Sequence, residues 1–345
     1  GDGGFVETSG AHVAATGLSV NTGSAKGKTG TWLIDPTDYV IAASGGDITG
    51  AALGTNLATT SVTITSGGAT GTNGDVLVND AVSWASGNTL TLSAFRTVAV
   101  NKAISAAGAN AGLVLRADNT GTGTGTVTFG SGITAKLTGA GSTAKIYYNP
   151  TTFGTAVAFP AVTAAGKVTA YELVNTAAKL QAINTNLTDN YALSKNIDAS
   201  TIANFVPLGT DAAGNVLNSN VGFAGNFDGQ GFTIDKLKIS RSSVNAVGLF
   251  GQVGGDGKNT IANLNLTNVN ILGGTNYVGG LIGYNSDYNT GNGAQISNVS
   301  VTGTVTSSGI SNSVGGLVGY SVSSKISNAT TAVTLSAGPG NYIGG

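Results

Sequence analysis

A phrase that returns at intervals of about thirty residues is the strongest constraint on what this chain can fold into. Asn245-Ala-Val-Gly-Leu-Phe-Gly251 comes back as Asn276-Tyr-Val-Gly-Gly-Leu-Ile-Gly283, then as Asn312-Ser-Val-Gly-Gly-Leu-Val-Gly319, and in part as Asn341-Tyr-Ile-Gly-Gly345. From 245 to 276 to 312 to 341 the steps are 31, 36 and 29 residues. A second phrase keeps the same beat: Ile261-Ala-Asn263, Ile296-Ser-Asn298 and Ile326-Ser-Asn328. Such a repeat cannot bury its apolar face alone, so it must stack on its neighbours and build a solenoid.

Stacking carries its own chemistry. Parallel strands lie about 4.8 Å apart, so equivalent side chains form columns. Val247, Val278, Val314 and Ile343 should make one apolar column, and Leu249 or Phe250 with Leu281 and Leu317 the next. Glycine at Gly248, Gly279, Gly315 and Gly344 permits a bend that a Cβ would obstruct. Asn245, Asn276, Asn312 and Asn341 should stack their amides in a ladder. All of these positions read first as scaffold.

The rest of the chain fits the same architecture. Residues 1–150 alternate in short strands: Thr31-Trp-Leu-Ile-Asp35, Ser61-Val-Thr-Ile-Thr65, Asp75-Val-Leu-Val78, Asn88-Thr-Leu-Thr-Leu92, Thr97-Val-Ala-Val100, Gly112-Leu-Val-Leu-Arg116, Thr126-Val-Thr-Phe129 and Ala144-Lys-Ile-Tyr147. Gly, Asn, Asp and Ser punctuate them. Strands this short with tight joints suit the three-sided coil of a β-helix better than a sandwich. Residues 151–170 show no repeat and read as a seam before a continuing 171–345. There Leu173, Ala177, Leu180, Ile183 and Leu187 recur at helical spacing, with Asn175 or Thr176 able to cap, which places one short helix at about 176–184.

Composition narrows the function classes. Charged residues are 9% of the chain, well below the roughly 25% of an ordinary soluble domain, so Thr, Ser and Asn must solvate the surface. A net charge of −1 leaves no basic footprint for nucleic acid. No apolar run approaches the roughly 18 residues of a membrane span. Cysteine is absent, which suits either a chain exported unfolded or a repetitive core that never needed a disulfide. The start at Gly1 and the finish inside a repeat read as an internal piece of a longer polypeptide.

Motifs for chemistry are sparse. Gly23-Ser-Ala-Lys-Gly-Lys28-Thr29 has three residues between its glycines where a phosphate-binding loop needs four, and a strand follows it. His12 is the one histidine, so neither a zinc site nor a hydroxyl-nucleophile triad can be assembled. Glutamate occurs only as Glu7 and Glu172, and arginine only as Arg96, Arg116 and Arg241. The aspartates sit mostly beside Gly, Asn or Pro, where turn-making explains them. Glycoside cleavage needs two carboxyls about 5–10 Å apart, hence on adjacent coils, and no aspartate recurs at that spacing. Calcium loops are missing, although Asp35–Asp38 is an acidic turn. Asn-x-Ser/Thr sequons stand at Asn186, Asn265, Asn298 and Asn328.

With those residues in view, the chain resembles the exported adhesins of the filamentous-haemagglutinin and high-molecular-weight class, which leave Gram-negative bacteria by two-partner secretion. Gly3-Gly-Phe-Val-Glu-Thr-Ser9, Gly30-Thr-Trp-Leu-Ile-Asp-Pro36, Val82-Ser-Trp84 and Asn88-Thr-Leu-Thr-Leu-Ser93 carry that likeness. Gly248-Leu-Phe-Gly251, Gly280-Leu-Ile-Gly283 and Gly316-Leu-Val-Gly319 resemble the GLUG-type repeat. The resemblance implies an all-β, right-handed parallel β-helix, secreted or displayed at the bacterial surface. It implies a carbohydrate, host or biofilm ligand and an outer-membrane transporter as partner, with no cofactor and no catalytic residue. Tyr277, Tyr284, Tyr320 and Tyr342 lie beside the repeat and are the candidate ligand-binding residues; corner packing is the competing role, and the weightier one on the residues alone. A polysaccharide-degrading β-helix enzyme and an inert stalk with its tip elsewhere are the alternatives.

Overall fold

The computed structural model describes residues 1–286, 291–309, 313–339 and 341–344. Strands hold 43% of the described residues and helices 7%, so the fold is mostly β and its rigidity comes from strand pairing. The chain divides into two compact units, 1–151 with 157–171 and 152–156 with 172–345. Most of the expected seam at 151–170 therefore belongs to the first unit, where Val162–Ala164 is a paired strand.

In the first unit the chain lays strands in turn on three parallel sheets. Phe5–Ser9, Thr31–Asp35, Ser61–Thr65, Thr89–Ser93, Gly112–Arg116 and Thr143–Tyr148 follow one another across the first. Tyr39–Ile41, Val76–Val78, Val98–Val100 and Val127–Phe129 make the second. Val82–Trp84, Ile104–Ala106, Ala135–Leu137 and Val162–Ala164 make the third. Alternation in the sequence becomes columns in space. Trp32, Val62, Leu90, Leu113 and Ala144 are level with one another, as are Ile34, Ile64, Leu92, Leu115 and Ile146. Every one of these side chains is buried, and each large one contributes about 1.5–3 kcal/mol of hydrophobic stabilisation. Trp32 Nε1–H donates to Thr8 Oγ1 at 3.0 Å and Trp84 Nε1–H to Asn88 O at 3.0 Å. The tryptophans of the adhesin-like phrases are thus core residues.

The helix expected near 176–184 forms as Ala177–Ala182, with Thr176 Oγ1 accepting the Lys179 N–H at 3.1 Å and a 3₁₀ turn, Ile183–Thr185, continuing it. It is not the one helix of the fold. Gly50–Leu57 is a second, capped by Thr49. Two glycines in eight residues weaken its sequence signal, yet tertiary packing requires them: a Cβ on Gly50 would stand 2.0 Å from Ala81 O, and one on Gly54 2.3 Å from Ser83 O.

The second unit repeats the principle with longer strands. Thr260–Gly273, Gln295–Ser307 and Ile326–Ala337 run parallel and in sequence, at 12–14 residues each. Asparagines at positive φ interrupt them at Asn263, Asn268, Asn298 and Asn328, a conformation asparagine tolerates better than other residues with a Cβ. Beside them, Ala246–Val247, Tyr277–Gly279, Ser313–Gly315 and Tyr342–Gly344 form one parallel sheet, and Phe250–Val253, Ile282–Asn285 and Val318–Ser321 another. Val247, Val278, Val314 and Ile343 are level in the predicted column. Leu249 is the buried partner position of Leu281 and Leu317; Phe250 is level instead with Ile282 and Val318.

Among the described residues the predicted amide ladder fails at its Asn245 end, and a ladder forms at another repeat position. Asn245 Oδ1 is buried without a partner, Asn341 Nδ2–H turns to Gly309 O at 3.2 Å, and Asn312 lies outside the described residues. The second phrase makes the ladder instead. Asn328 Nδ2–H donates to Asn298 Oδ1 at 3.1 Å, Asn298 to Asn263 at 2.9 Å, and Asn263 to Asp228 Oδ1 at 2.9 Å. Bent backbone explains the choice, because positive φ aims these side chains along the stack. Asn298→Asp would oppose two acceptors at that 2.9 Å contact. It should lower stability by about 1–2 kcal/mol at pH 7, read as a shift in urea midpoint, with the deficit shrinking below about pH 4 as the carboxyl protonates.

Candidate functional site

Glycine corners bring the tyrosines together. Tyr277 lies on Tyr277–Gly279 and Tyr284 on Ile282–Asn285. The corner between them is tight enough that a Cβ on Gly279 would stand 2.1 Å from Ile282 O. The two rings meet with centroids 4.8 Å apart. Tyr320, on the next rung and level with Tyr284, stacks on it at 5.4 Å with 4° between the planes and lies 5.2 Å from Tyr277. Tyr320 is 42% exposed, and the other two are half-buried.

The cluster spans two rungs, because Ala246 and Gln252 occupy the matching levels on the rung before. Tyr342 stands apart from it, since Ser313 separates Tyr342 from Tyr277 in their column. Burial, then the Tyr284 and Tyr320 hydroxyls, hold the Tyr277 phenol above its ordinary value, so it is a neutral hydrogen-bond donor at physiological pH. Two parallel rings and a third tilted about 40° to them offer a partly exposed apolar surface with hydroxyl tips, which suits contact with the apolar face of a sugar.

Two acid pairs sit on adjacent rungs, contrary to the expectation that no aspartate recurs at that spacing. Asp198 and Asp235 are level. Ser200 holds the first and Thr267 the second below its usual range, and Lys236 lies 3.5 Å and 3.4 Å from them. They form an exposed ion pair cluster. Glu172 and Asp189 are the second pair, and sequence reasoning missed it because the two residue types differ. Glu172 is 1% exposed, its Oε2 accepts the Gly154 N–H at 2.8 Å, its Oε1 is buried without a hydrogen-bond partner among the described residues, and the Asp189 carboxyl is close enough to act on it. Desolvation chiefly, and Asp189 secondarily, push Glu172 up to about 7; desolvation raises Asp189 as well. Asn186 Nδ2–H donates to both Gly154 O and Asp189 Oδ2, at 3.1 and 2.6 Å. This buried group pins residues 152–156 to the second unit's core.

The remaining candidates resolve plainly. His12, its side chain 76% exposed, lies 3.2 Å from Asp47. Asp38 accepts the Asp75 N–H at 2.9 Å. No three His, Cys, Asp or Glu side chains converge among the described residues. The sequon asparagines Asn186, Asn265, Asn298 and Asn328 all have their side-chain amides hydrogen-bonded within the fold, so a glycan on any of them would displace a structural bond.

Comparison with known proteins falls on this same region. The family described as the GLUG motif matches residues 274–306, which contain Tyr277, Tyr284 and the middle member of the asparagine ladder. The chain is also similar to Halomucin of Haloquadratum walsbyi (strain DSM 16790 / HBSQ001), 37% identical over 141 residues, which are 39% of this chain and 1% of that protein. The chain therefore spans a very small part of the curated relative it matches. No solved structure matches it. Among the described residues no helix is long and apolar enough to cross a membrane.

Proposed function

We propose that the chain is part of a secreted or surface-displayed protein of the adhesin or biofilm-matrix kind, wound as a right-handed parallel β-helix. In this reading it holds glycans on the side of the coil, over Tyr277, Tyr284 and Tyr320. The observation that carries the reading is the three-ring cluster, with one ring stacked on its level partner from the next rung. Strand after strand paired in parallel at repeat spacing, the GLUG match and the likeness to a protein named as a mucin all support a repetitive exoprotein. Export through an outer-membrane transporter of the two-partner type belongs to the same proposal, and a transporter gene beside this one is its check. Tyr342 is assigned no part in the platform.

A glycan array with wild type and the Tyr284→Ala/Tyr320→Ala double variant tests the ligand. Two platform rings at about 1–2 kcal/mol each make the expected loss of retention at least tenfold, with the far-UV spectrum unchanged. Retention by the double variant equal to wild type, or no retention by either protein, overturns the platform; the second result favours an inert stalk. Release of new reducing ends from the same panel overturns it in favour of polysaccharide cleavage.

A further inference from the structure

The first unit carries a groove that the tyrosine platform does not explain. Helix Gly50–Leu57 lies against the start of the third sheet, its glycines in close approach to Ala81 and Ser83. Between helix and sheet runs a shallow, open groove of about 790 Å³, bordered by residues such as Thr55 and floored by the outward side chains of three successive rungs. That volume is within the range that holds a drug-sized ligand, room for about two or three sugar units.

The floor has a definite chemical order. Ser83, Ser105 and Lys136 are level with one another on consecutive strands, so their polar tips rise along the stack in steps of about 4.8 Å. All three are exposed, and none has a side-chain hydrogen bond or ion pair among the described residues. Ala85 and Ala107 line the groove beside them, keeping the floor flat and apolar. Lys136 is the one charged residue of the lining. Asp80, at the start of the helix, is engaged by the Gly50 and Ala81 N–H groups at 2.8 and 2.9 Å.

We infer that this groove binds a short segment of an acidic polysaccharide of the uronate type, with a sugar carboxylate on Lys136 and sugar hydroxyls on Ser83 and Ser105. Charge complementarity selects the anion. A single cation excludes nucleic acid, whose affinity depends on neutralising many phosphates at once. A sheet face whose backbone groups are already paired along the rungs offers no edge for a peptide strand. Flat pyranose rings lie on alanine and serine without a clash, and their hydroxyls meet partners spaced at the rung interval.

The test uses the whole chain and trigalacturonate, with its carboxyl-reduced neutral counterpart as the second probe, followed by calorimetry. Wild type should bind the acidic trimer at least tenfold more tightly than the neutral one. Lys136→Gln should lose about that factor, Lys136→Arg should restore it, and Ser105→Leu, which fills the floor, should lose binding of both. Repeating the titrations in the Tyr284→Ala/Tyr320→Ala background removes whatever the platform adds; the preference for the acidic trimer and its loss on Lys136→Gln should persist there, so failure of the tyrosine platform and failure of this groove are read separately. Equal affinity for acidic and neutral trimers, no binding at millimolar concentration, or an unaffected Lys136→Gln variant overturns the inference.

Discussion

Gly279→Ala is expected to cost the second unit about 3 kcal/mol or more, at the upper end of what overpacking does. Its strain is not conformational, since Gly279 is absent from the positive-φ positions of the fold. Backbone contact is the cause. The added Cβ would stand 2.1 Å from Ile282 O, 2.8 Å from Gly319 N and 2.9 Å from Leu317 O. No flexible side chain can move aside there; the corner itself must open. That opening would separate Val278 from its level partners Val247 and Val314, and would part the Tyr277 and Tyr284 rings. At Gly67 the added Cβ would meet only Pro36 O, at 3.8 Å, so Gly67→Ala should leave stability within about 0.5 kcal/mol of wild type. Urea titrations of the two variants decide the matter: equal midpoints would mean that the corners are loose and that repeat glycines are matters of composition.

Glu172→Gln should remove most of the pH dependence of the second unit's stability between about 4.5 and 7. Burial raises the folded-state value of Glu172 from 4.5 to about 7. Below that window the carboxyl is protonated in both folded and unfolded chains and carries no penalty. As pH rises through the window the unfolded chain releases the proton while the native one keeps it, so stability falls. Past about 7 the native carboxyl ionises too and the loss levels off. A displacement of that size corresponds to about 3 kcal/mol. Asp189 shifts in the same direction and adds to the slope. Glutamine copies the protonated acid, accepting from Gly154 N–H and able to donate to Asp189. The variant should therefore match wild type near pH 4.5 and exceed it at pH 8. Chemical denaturation at those two pH values is the check, and parallel losses in both proteins would place the pH sensitivity elsewhere.

Local pattern carried a good deal of the fold. Period-2 alternation located Ser61–Thr65 and Gly112–Arg116 to the residue, because burying every second side chain leaves a direct trace in the order of residues. Thr176 and the Leu180 and Ile183 spacing located the helix for a similar reason, one cap and one apolar face. Gly50–Leu57 left no such trace, since its two glycines answer to carbonyls on another strand. The asparagines show the limit most clearly. Asn245 and Asn263 recur with equal regularity, yet only the bent backbone at Asn263 turns its amide along the stack. Glu172 and Asp189 were invisible as a pair, because nothing in a spacing of 17 residues says that two different acids end on neighbouring rungs.

The order of residues by itself determined the repeat length, the inward columns and the positions where only glycine fits, all of which follow from burial and backbone sterics that each repeat meets alike. The tertiary structure alone decided which polar groups face one another: the ladder from Asp228 to Asn328, the buried Glu172–Asp189 pair, the meeting of Tyr277 with Tyr284 and Tyr320, and the Ser83–Ser105–Lys136 row. Hydrophobic burial is non-directional and leaves a period in the sequence. Hydrogen bonds and ring contacts depend on ångström-scale placement between rungs, and that placement exists only once the rungs are stacked.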